Sequence, residues 1–424
     1  MSGHGPEWLD RDVLRRIRRR ALARLRTDVE AVDPSRYMSF LATWHGIGSP
    51  AGHHDRLHQV VRRLQGTEIP ARTLEHDILA ARCDYDPSEL DELLGSGEIL
   101  WTGRRPIGRK DGYVSLYDRS GLALLRPPVV PFDGTDTHER LREHLQRRGA
   151  SFFPELYAAA GGGDPETVAD ALWDLVWAGE LTNDGLRPLR AYLWGAATAR
   201  RRPHVVSVPA RAAGRWSLLD TTPTPPPEER AVAAAEHLLD LLGVVTRPGV
   251  AAAAAPVSFS DLLPVFRTME ELGTVRRGYF VEGLGGSQFA RPDTIDRLRS
   301  VDPMGPTILA ATDPALLYGS TIPWPDHGGG TPRRRSGAHV VLIAGTPIVW
   351  ADTGGHTLVT FTDQTDLLRA ALDLLGHRHR PLRITTIDAV AVAAHPLAPT
   401  LRSLGFVPGY RGYILDPKAH ARAR

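Results

Sequence analysis

Apolar residues recur at intervals of three and four positions in three separate stretches of the chain. The stretches are residues 87–100, 165–182 and 260–280. This spacing puts the apolar side chains on one face of a helix, so each stretch is predicted to contain an amphipathic α-helix. Each predicted helix follows an Asp or a Ser and ends at a glycine, and an apolar extended segment comes next. The three glycines are Gly97, Gly179 and Gly273.

Short β-like segments accompany these helices, and two further helices precede the middle one. The order helix, short helix, longer helix and β-wing is typical of the winged-helix fold. The glycines are separated by 82 and 94 residues, which leaves room for a whole module each time. The predicted wing strands are Tyr113–Tyr117, Trp216–Leu219 and Tyr279–Val281. A generic helical repeat is the alternative, and the wing strands favour the winged helix.

From about residue 301 the pattern changes to short apolar or alternating runs that are separated by Gly, Thr and Pro. The runs are Ala338–Ala344, Pro347–Trp350, Leu358–Phe361 and Leu382–Ile387. Such runs predict hairpins in a barrel or half-barrel. We therefore predict an α+β fold with tandem winged-helix modules followed by a C-terminal β-barrel domain. The predicted segments are 1–66, a basic N-terminal helix and helix-turn-helix region; 67–126, 127–226 and 227–300, each a winged helix; and 301–424, the β-barrel domain.

The composition of the 424-residue chain is that of an ordinary globular protein with one cysteine, Cys83, which cannot form an internal disulfide or a cysteine-built metal site. The chain lacks the apolar core of a signal peptide and an apolar run of the ~18 residues that a membrane span needs. We expect a cytoplasmic protein of the bacterial nucleoid, with no membrane partner and no cofactor. Neither Lys110 nor Lys418 lies in the phosphate-binding motif of an ATPase, so we expect no ATPase or helicase activity from this chain alone.

Basic residues exceed acidic ones at both ends of the chain, in residues 1–66 and 301–424, whereas the middle has a slight excess of acids. If DNA binds, the ends should supply most contacts to its phosphates. The candidates lie in an N-terminal amphipathic helix, on the third wing and in two later basic runs, together with one tryptophan. They are Arg15, Arg16, Arg18, Arg19, Arg20, Trp44, Arg276, Arg277, Arg333, Arg334, Arg335, Arg378 and Arg380. The alternative is that each basic run is a solvated surface, and that the first helix packs on a preceding domain.

The middle predicted helix is acidic, which is unusual for a helix that reads DNA. Residues 165–178 contain Glu166, Asp170 and Asp174 and no basic residue. A DNA-reading helix normally presents basic and amide side chains to the base edges. We therefore predict that the middle module is a spacer or a protein-contact unit.

Several strings along the chain match, in order, the C-terminal region of large helicase-related proteins (Lhr). They are GPEWLDRDVLRRIRRRALARLR, SRYMSFLATWHGI, ILAARCDYDPSELDELLGSGEILW, FFPELYAAAG, ALWDLVWAGELTNDGLRPLRAYL, GRWSLL, GLGGSQFARPDTIDRLR, ILAATDP and GFVPGYRGYIL. The chain resembles that region over nearly its whole length. The resemblance implies tandem winged helices plus a C-terminal β-barrel, an arrangement shared with AlkZ-like DNA glycosylases, and it brings no ATPase activity.

The resemblance to AlkZ-like enzymes also implies candidate catalytic residues. Breaking a sugar–base bond requires a carboxylate or amide that steadies an oxocarbenium-like state and positions water. The candidates are His45, Gln288, Asp313 and Asp416. The resemblance leads us to expect Trp-Gln where this chain has Trp44-His45, and a cationic histidine would oppose the reaction. As alternatives, Trp44 is a core residue and His45 a surface residue at the end of a helix. Gln288 satisfies backbone groups in a wing, Asp313 caps a turn, and Asp416 is an exposed tail residue.

A histidine cluster is the last candidate site. His53, His54 and His58 lie close together in the sequence, but no acidic ligand pattern accompanies them. We therefore predict no metal site.

Three functions follow from these patterns. The first is the DNA-binding C-terminal region of an Lhr-type DNA-repair helicase, without the ATPase motor. Its partners would be single-stranded or duplex DNA and the helicase core of a longer or separate chain. The second is a DNA glycosylase that removes uracil or an alkylated base, and the third is a homo-oligomerisation scaffold.

Overall fold

The structure, a computed structural model, describes residues 30–48, 54–129, 132–195, 208–219, 224–379 and 381–415. Within these ranges it combines helices with five β-sheets, which confirms the α+β class. Three small sheets belong to three successive helical units. The other two sheets lie in the C-terminal part of the chain.

The first unit carries a three-stranded sheet of order β1-β3-β2, in which the last two strands form a hairpin. Its elements are α1 (Pro34–Trp44), α2 (His54–Leu64), β1 (Ile69–Pro70), α3 (Ala71–Thr73), the π-helical segment Leu74–Leu79, α4 (Pro87–Ser96), β2 (Ile99–Pro106), β3 (Gly112–Asp118) and α5 (Leu122–Leu125). Helix α4 begins where Asp86 accepts the backbone N–H of Ser88 at 2.8 Å. It ends at Gly97, whose φ of +77° would strain any residue with a side chain.

The middle unit repeats this arrangement, with a sheet of order β4-β6-β5. Its elements are α6 (Asp136–Arg148), β4 (Ser151–Phe152), α7 (Phe153–Ala159), α8 (Pro165–Trp177), β5 (Leu181–Asn183), α9 (Arg187–Trp194), a 3₁₀ turn (Ala210–Ala212) and β6 (Arg215–Leu218). The hairpin of the first unit packs on this unit, because Trp101 donates its Nε1–H to the carbonyl of Asn183 at 3.0 Å. The hydroxyl of Thr182 donates in turn to the carbonyl of Trp101 at 2.7 Å.

The third unit has a sheet of order β7-β9-β8. Its elements are α10 (Pro227–Leu242), β7 (Val244–Val245), α11 (Arg247–Ala252), α12 (Phe259–Leu272), β8 (Arg276–Gly278), β9 (Gln288–Ala290) and α13 (Pro292–Ser300). Helix α12 starts with a reciprocal capping box between Ser258 and Asp261, and it ends at the left-handed Gly273. Helix α1 packs on this third unit, because the hydroxyl of Tyr37 donates to the carbonyl of Leu242 at 2.8 Å.

The three predicted helices and the glycines that follow them are confirmed by α4, α8 and α12. The first two predicted wing strands overlap β3 and β6. The third, Tyr279–Val281, is wrong as a strand, since β8 ends at Gly278 and only Val281 makes a β-bridge, to Val32. The reason is a side chain: Oε1 of Gln288 accepts the N–H groups of Phe280 and Val281, at 2.8 and 2.9 Å.

The C-terminal part contains a six-stranded sheet of order β10-β11-β12-β13-β15-β16 and a three-stranded sheet of order β14-β18-β17. Their elements are β10 (Thr307–Ala310), β11 (His339–Ile343), β12 (Thr346–Ala351), β13 (Thr357–Thr360), α14 (Thr365–Arg378), β14 (Arg383–Ile384), β15 (Thr386–Ile387), β16 (Val390–Ala391), α15 (Ala398–Ser403), β17 (Phe406–Gly409) and β18 (Gly412–Leu415). All neighbouring strands are antiparallel except β13 and β15.

The predicted C-terminal β-barrel is wrong, because the described strands form open sheets whose edges, β10 and β16, do not meet. Alternate residues of β11 belong to different cores. Val340 and Leu342 join the core of the three helical units, whereas Val341 joins the core that contains Leu372 of α14. A sheet that is covered on both faces has apolar strands throughout and gains no burial by closing on itself. Apolar runs are therefore compatible with a sheet that is covered on both faces, although their sequence pattern alone predicts a barrel.

In the part of the chain that the structure describes, no helix has the length and apolar character that crossing a membrane requires.

Candidate nucleic-acid interface

The helices that would read DNA in a winged helix are acidic in all three units. Helices α4 and α8 contain no basic residue, and α12 contains Arg267 beside Asp261, Glu270 and Glu271. In the middle unit, Arg211 pairs with Glu166 and Asp170, at 2.8 and 2.6 Å, and covers part of α8. These faces therefore offer little attraction to phosphates, which fits the predicted spacer role of the middle module.

The acidic face of α4 is also engaged, by a neighbouring unit. Arg190 of α9 pairs with Asp91 of α4 at 2.6 Å and with Glu75 at 2.8 Å. The carboxylate of Asp91 also accepts the N–H of Leu186 at 2.9 Å. The first and middle units are therefore joined through the helix that a lone winged helix would present to DNA.

A basic pocket lies instead between α1 and α2, on the side that faces the third unit. It encloses about 560 Å³ and opens to solvent. Three of its side chains are arginines and one is a tryptophan, and it contains no carboxylate. We call it the Trp44 pocket; its lining residues are Thr43, Trp44, His45, Gly46, Arg56, Gln59, Val60, Arg63, Leu64 and Arg82.

Trp44 organises the mouth of this pocket. Its indole N–H donates to the carbonyl of Asp240 in α10 at 2.6 Å, which fixes the ring against the third unit. Two guanidinium groups lie over the ring: that of Arg63 is 5.0 Å from the centroid and that of Arg297 is 5.3 Å from it. Neither arginine lies within ion-pair distance of a carboxylate among the described residues; Asp240 acts on Arg63 from further away, and it pairs with Arg291. Both cations are therefore available to an anionic ligand.

The wall of the pocket contains a buried chain of polar contacts. Arg82 makes a bidentate ion pair with Asp313, with N–O distances of 2.7 and 2.9 Å. Its Nη2 also lies 3.4 Å from Nδ1 of His45. On the other side of the imidazole ring, Nε2 lies 2.8 Å from the carbonyl of Leu241. Since a carbonyl can only accept, Nε2 carries the proton and Nδ1 accepts from Arg82.

The charge state of this wall follows from burial. Burial lowers the pKa of His45 to about 3, and the Arg82 cation adds to the effect. Burial alone would raise the pKa of Asp313, but the Arg82 cation overcomes it and holds that pKa below its usual value. His45 is therefore neutral at physiological pH, so the objection that a cationic histidine would oppose an oxocarbenium ion does not apply.

Two of the predicted catalytic residues, His45 and Asp313, are thus brought together through Arg82. The carboxylate of Asp313 is fully buried and also accepts the N–H of Ala315 at 2.8 Å, as in the turn-capping alternative. Gln288 is elsewhere and fully buried, and its side chain is used by backbone groups of Phe280 and Val281, as in the structural alternative.

The predicted DNA-binding arginines of the C-terminal part point in different directions. Arg334 points inward, where it donates to the carbonyls of Asp313, Leu316 and Tyr318, and burial lowers its pKa to about 10. This orientation contradicts a role for Arg334 in contacting DNA. Arg333 and Arg335 are exposed.

The remaining predicted contacts lie outside the Trp44 pocket. Arg378 is exposed and pairs with Asp77. Arg276 and Arg277 lie on β8, where Nε of Arg277 donates to the hydroxyl of Ser287 at 2.9 Å.

Some predicted residues lie outside the described residues. They are Arg15, Arg16, Arg18, Arg19, Arg20, Arg380 and Asp416. Of the histidine cluster, His53 is also outside, and Nε2 of His58 lies 3.2 Å from the carboxylate of Asp118. Within the ranges that the structure covers, no group of three or more potential ligands is arranged to hold a metal ion.

Sequence reasoning missed most of the pocket residues. Arg56, Gln59 and Arg63 lie on α2, whose sequence HDRLHQVVRRL alternates polar and apolar residues at helical spacing and is rich in arginine. The amphipathic, basic pattern of α2 could have indicated from the sequence that this helix contributes to a basic surface. Arg82 and Arg297 carried no such signal, because tertiary contacts alone bring them to the pocket.

The two outer units match known families. A family model described as "Large helicase-related protein, winged-helix domain" matches residues 32–119, and a second model of the same description matches residues 224–307. They represent the third and fourth such domains of Lhr. The first and third units of this chain are therefore winged helices.

Two curated relatives match almost the whole chain. "Lhr helicase/ probable uracil glycosylase" of Mycolicibacterium smegmatis is 39% identical over 425 residues, which cover 92% of this chain and 28% of the relative. "Lhr helicase/uracil glycosylase" of Escherichia coli is 32% identical over 467 residues, which cover 96% of this chain and 30% of the relative. The chain spans less than a third of the length of these relatives.

Among solved structures, "Streptomyces sahachiroi DNA glycosylase AlkZ" superposes with a TM-score of 0.49 at 16% identity, covering 84% of this chain and all of that one. A TM-score of this size does not by itself establish a shared function. The family models and the two relatives are more specific. The chain therefore carries the third and fourth winged-helix domains of the large helicase-related protein family and matches the corresponding part of Lhr along its length.

Proposed function

We propose that this chain is a DNA-binding region of the Lhr type and that it contacts DNA phosphates at the Trp44 pocket. The observation that carries the proposal is the pair of guanidinium groups, from Arg63 and Arg297, that lie over one indole ring with no carboxylate partner among the described residues. Cations without a protein counterion bind phosphates and release counterions from DNA.

The electrostatics of the rest of the array support this location. The reading helices α4, α8 and α12 are acidic, and those of the first two units are engaged in contacts inside the chain. In this proposal they form a scaffold and the phosphate contacts lie beside them. Arg333 and Arg335 are exposed and stay candidate phosphate contacts in this proposal, with Arg335 lying 3.9 Å from Asp352, whereas Arg334 is engaged by backbone carbonyls.

Fluorescence anisotropy with labelled single-stranded and duplex DNA tests the proposal. We expect binding that weakens steeply as salt rises, and we expect W44A to weaken it because the ring holds both arginines in place. If the wild-type chain shows no binding to either DNA at low salt, the proposal is wrong. Binding that is unchanged in W44A would place the contact elsewhere.

A second candidate function is a DNA glycosylase. Both curated relatives carry uracil glycosylase in their names, the second without qualification. In the Trp44 pocket the amide of Gln59 is exposed and no carboxylate is present, and an amide can position a water for attack on a sugar–base bond. We therefore propose Gln59, with neutral His45 beside it, as the water-positioning group of such an activity.

Incubation of the protein with a uracil-containing oligonucleotide, followed by alkali cleavage, tests this second function. We expect abasic sites from the wild-type chain and a large loss in Q59A with DNA affinity retained. If the wild-type chain produces no abasic product from uracil or alkylated bases, the glycosylase function is wrong. Equal activity of Q59A would place the chemistry outside the pocket.

The predicted partners complete the proposal. We propose that ATP-driven unwinding belongs to a helicase core and that this chain alone has no ATPase activity, which a phosphate-release assay with and without DNA will measure. Homo-oligomerisation stays a separate prediction, and multi-angle light scattering decides it.

A further inference from the structure

A buried ion pair joins the wall of the Trp44 pocket to the C-terminal sheet. Arg82 is 1% exposed and Asp313 is fully buried. Arg82 lies just after the π-helical segment of the first unit, whereas Asp313 lies 231 residues later, in the loop between β10 and β11. The pair therefore joins the first unit to the C-terminal part of the chain.

Stability alone is a weak explanation for this pair. Removing two charges from water is costly, and apolar residues of similar size often serve a core at least as well. The guanidinium also keeps one N–H, at Nε, that is buried without a hydrogen-bond partner among the described residues. Burying an N–H group without a hydrogen-bond partner costs free energy, so we infer that the position of Arg82 serves something other than stability.

The carboxylate is itself rigidly held. Asp313 accepts the N–H of Ala315 through its side chain, at 2.8 Å, and its backbone carbonyl accepts an N–H of Arg334 at 3.1 Å. Arg334 in turn bonds the carbonyls of Leu316 and Tyr318. The loop from the C-terminal sheet therefore presents Asp313 to Arg82 in a fixed position.

Arg82 transmits this position to the pocket. Its two Nη atoms are divided among the carboxylate, the carbonyl of Ile78 at 2.9 Å, and Nδ1 of His45 at 3.4 Å. Both Arg82 and His45 line the pocket, and Trp44 directly precedes His45 on α1. A shift of Arg82 would therefore release the side chain of His45. His45 is next to Trp44, whose ring lies under the guanidinium groups of Arg63 and Arg297.

We propose that Asp313 is a positioning residue for DNA binding: from the C-terminal sheet it holds Arg82, and through Arg82 it holds His45, in the wall of the Trp44 pocket. This inference rests on the proposed function. It goes beyond that function because the winged-helix units alone do not complete the site. DNA binding and docking of the C-terminal sheet on the first unit are then linked, and each stabilises the other.

A double-mutant cycle on DNA affinity tests the proposal, with the full chain and the variants R82Q, D313N and R82Q/D313N. We expect each single variant to bind about tenfold more weakly, equivalent to about 1.4 kcal/mol. We expect the double variant to bind no more weakly than R82Q, because Asp313 acts only through Arg82. Additive losses, or wild-type affinity in D313N, would overturn the proposal.

The pH profile gives a readout that a merely structural role would not change. The charged groups that face His45 are Arg82, Asp313 and Arg63. R82Q removes a cation and leaves the Asp313 carboxylate, so His45 gains a proton more easily and we expect tighter DNA binding as pH falls from 7 to 5. The wild type and R82Q/D313N should show no such rise. A flat profile for R82Q contradicts the relay to His45.

Two further variants keep the test decisive where a charge change prevents folding. R82K keeps the charge but loses the bidentate geometry, so we expect a fold with near-normal melting and weakened DNA binding. D388N is the matched control, since Asp388 is also buried in the C-terminal sheet and its carboxylate accepts the N–H of Thr360 at 2.7 Å and lies 3.4 Å from His395. We expect wild-type affinity from D388N, and wild-type affinity from R82K would overturn the proposal.

The outcomes separate this inference from the proposed function. If the wild-type chain binds no DNA, the proposed function and this inference both fail. If the wild type binds and R63Q weakens binding while D313N matches the wild type, the pocket binds DNA and the role of Asp313 is wrong.

Discussion

The two arginines over Trp44 lead to a quantitative prediction about salt. Each phosphate contact to duplex DNA contributes roughly 0.9 to the slope of log affinity against log salt. Arg63 and Arg297 are two separate cations without ion-pair partners among the described residues, so we assign one phosphate to each. The variant R63Q/R297Q should therefore have a slope that is smaller by about 1.8.

The expected change is large enough to measure. Between 50 and 200 mM the salt concentration rises fourfold. Four raised to the power of the difference in slope, about 1.8, is about 12, so the wild type should lose about twelvefold more affinity than R63Q/R297Q over this range. Fluorescence anisotropy titrations with one duplex, at four salt concentrations, give both slopes. A single binding curve does not suffice, because a general loss of affinity has other causes.

The matched control removes the same charge from another surface. Arg147 and Arg148 lie in the last turn of α6, both are exposed, and the first pairs with Glu143. We expect R147Q/R148Q to keep the wild-type slope. If R63Q/R297Q keeps the wild-type slope as well, or if both double variants lose the same amount, the Trp44 pocket is not the phosphate site.

Three further predictions concern stability, and urea or thermal unfolding measures each of them. The pKa of His45 is about 3 in the folded state and near 6.5 when unfolded, so the unfolded state gains a proton as pH falls below 6.5. Stability should fall by up to about 1.4 kcal/mol per pH unit from 6.5 towards 3, and H45Q should remove this contribution; an unchanged pH dependence contradicts it. G345A should destabilise the chain by about 1–3 kcal/mol more than G108A. Both glycines have positive φ, but a Cβ on Gly345 would lie 1.9 Å from the carbonyl oxygen of Ser35, whereas a Cβ on Gly108 would meet open space. Equal losses of stability in the two variants would refute the close contact. Q288A should lose roughly 2–4 kcal/mol, because it leaves buried backbone groups unpaired; a catalytic role would instead lower activity and leave stability intact.

Local patterns were sufficient wherever a few neighbouring residues decide the conformation. The caps Asp86, Asp164 and Ser258 and the glycines after each helix set the boundaries of α4, α8 and α12, as the sequence predicted. The predicted runs Ala338–Ala344, Pro347–Trp350 and Leu358–Phe361 overlap β11, β12 and β13, because a short apolar run that is bounded by turn residues is a local signal of a strand.

Sequence reasoning failed wherever a partner far along the chain decides the outcome. The third wing ends early because Gln288 takes two backbone N–H groups. The apolar C-terminal strands suggested a barrel, yet they are covered on one face by α14 and on the other by the winged-helix units. In the run Arg333–Arg335, the middle residue points inward and its neighbours outward, and only the surrounding carbonyls select which one.

By itself, the amino-acid sequence determined the helical units, their order, the α+β class and the resemblance to Lhr, because caps, periodicity and short motifs depend on residues within a few positions of each other. The tertiary structure alone decided which charges are free. Arg82 is neutralised by Asp313 from 231 residues away, whereas Arg63 and Arg297 meet at Trp44 without a carboxylate partner among the described residues. Whether a cation can bind a phosphate depends on its nearest charges in space, and the sequence does not contain those distances.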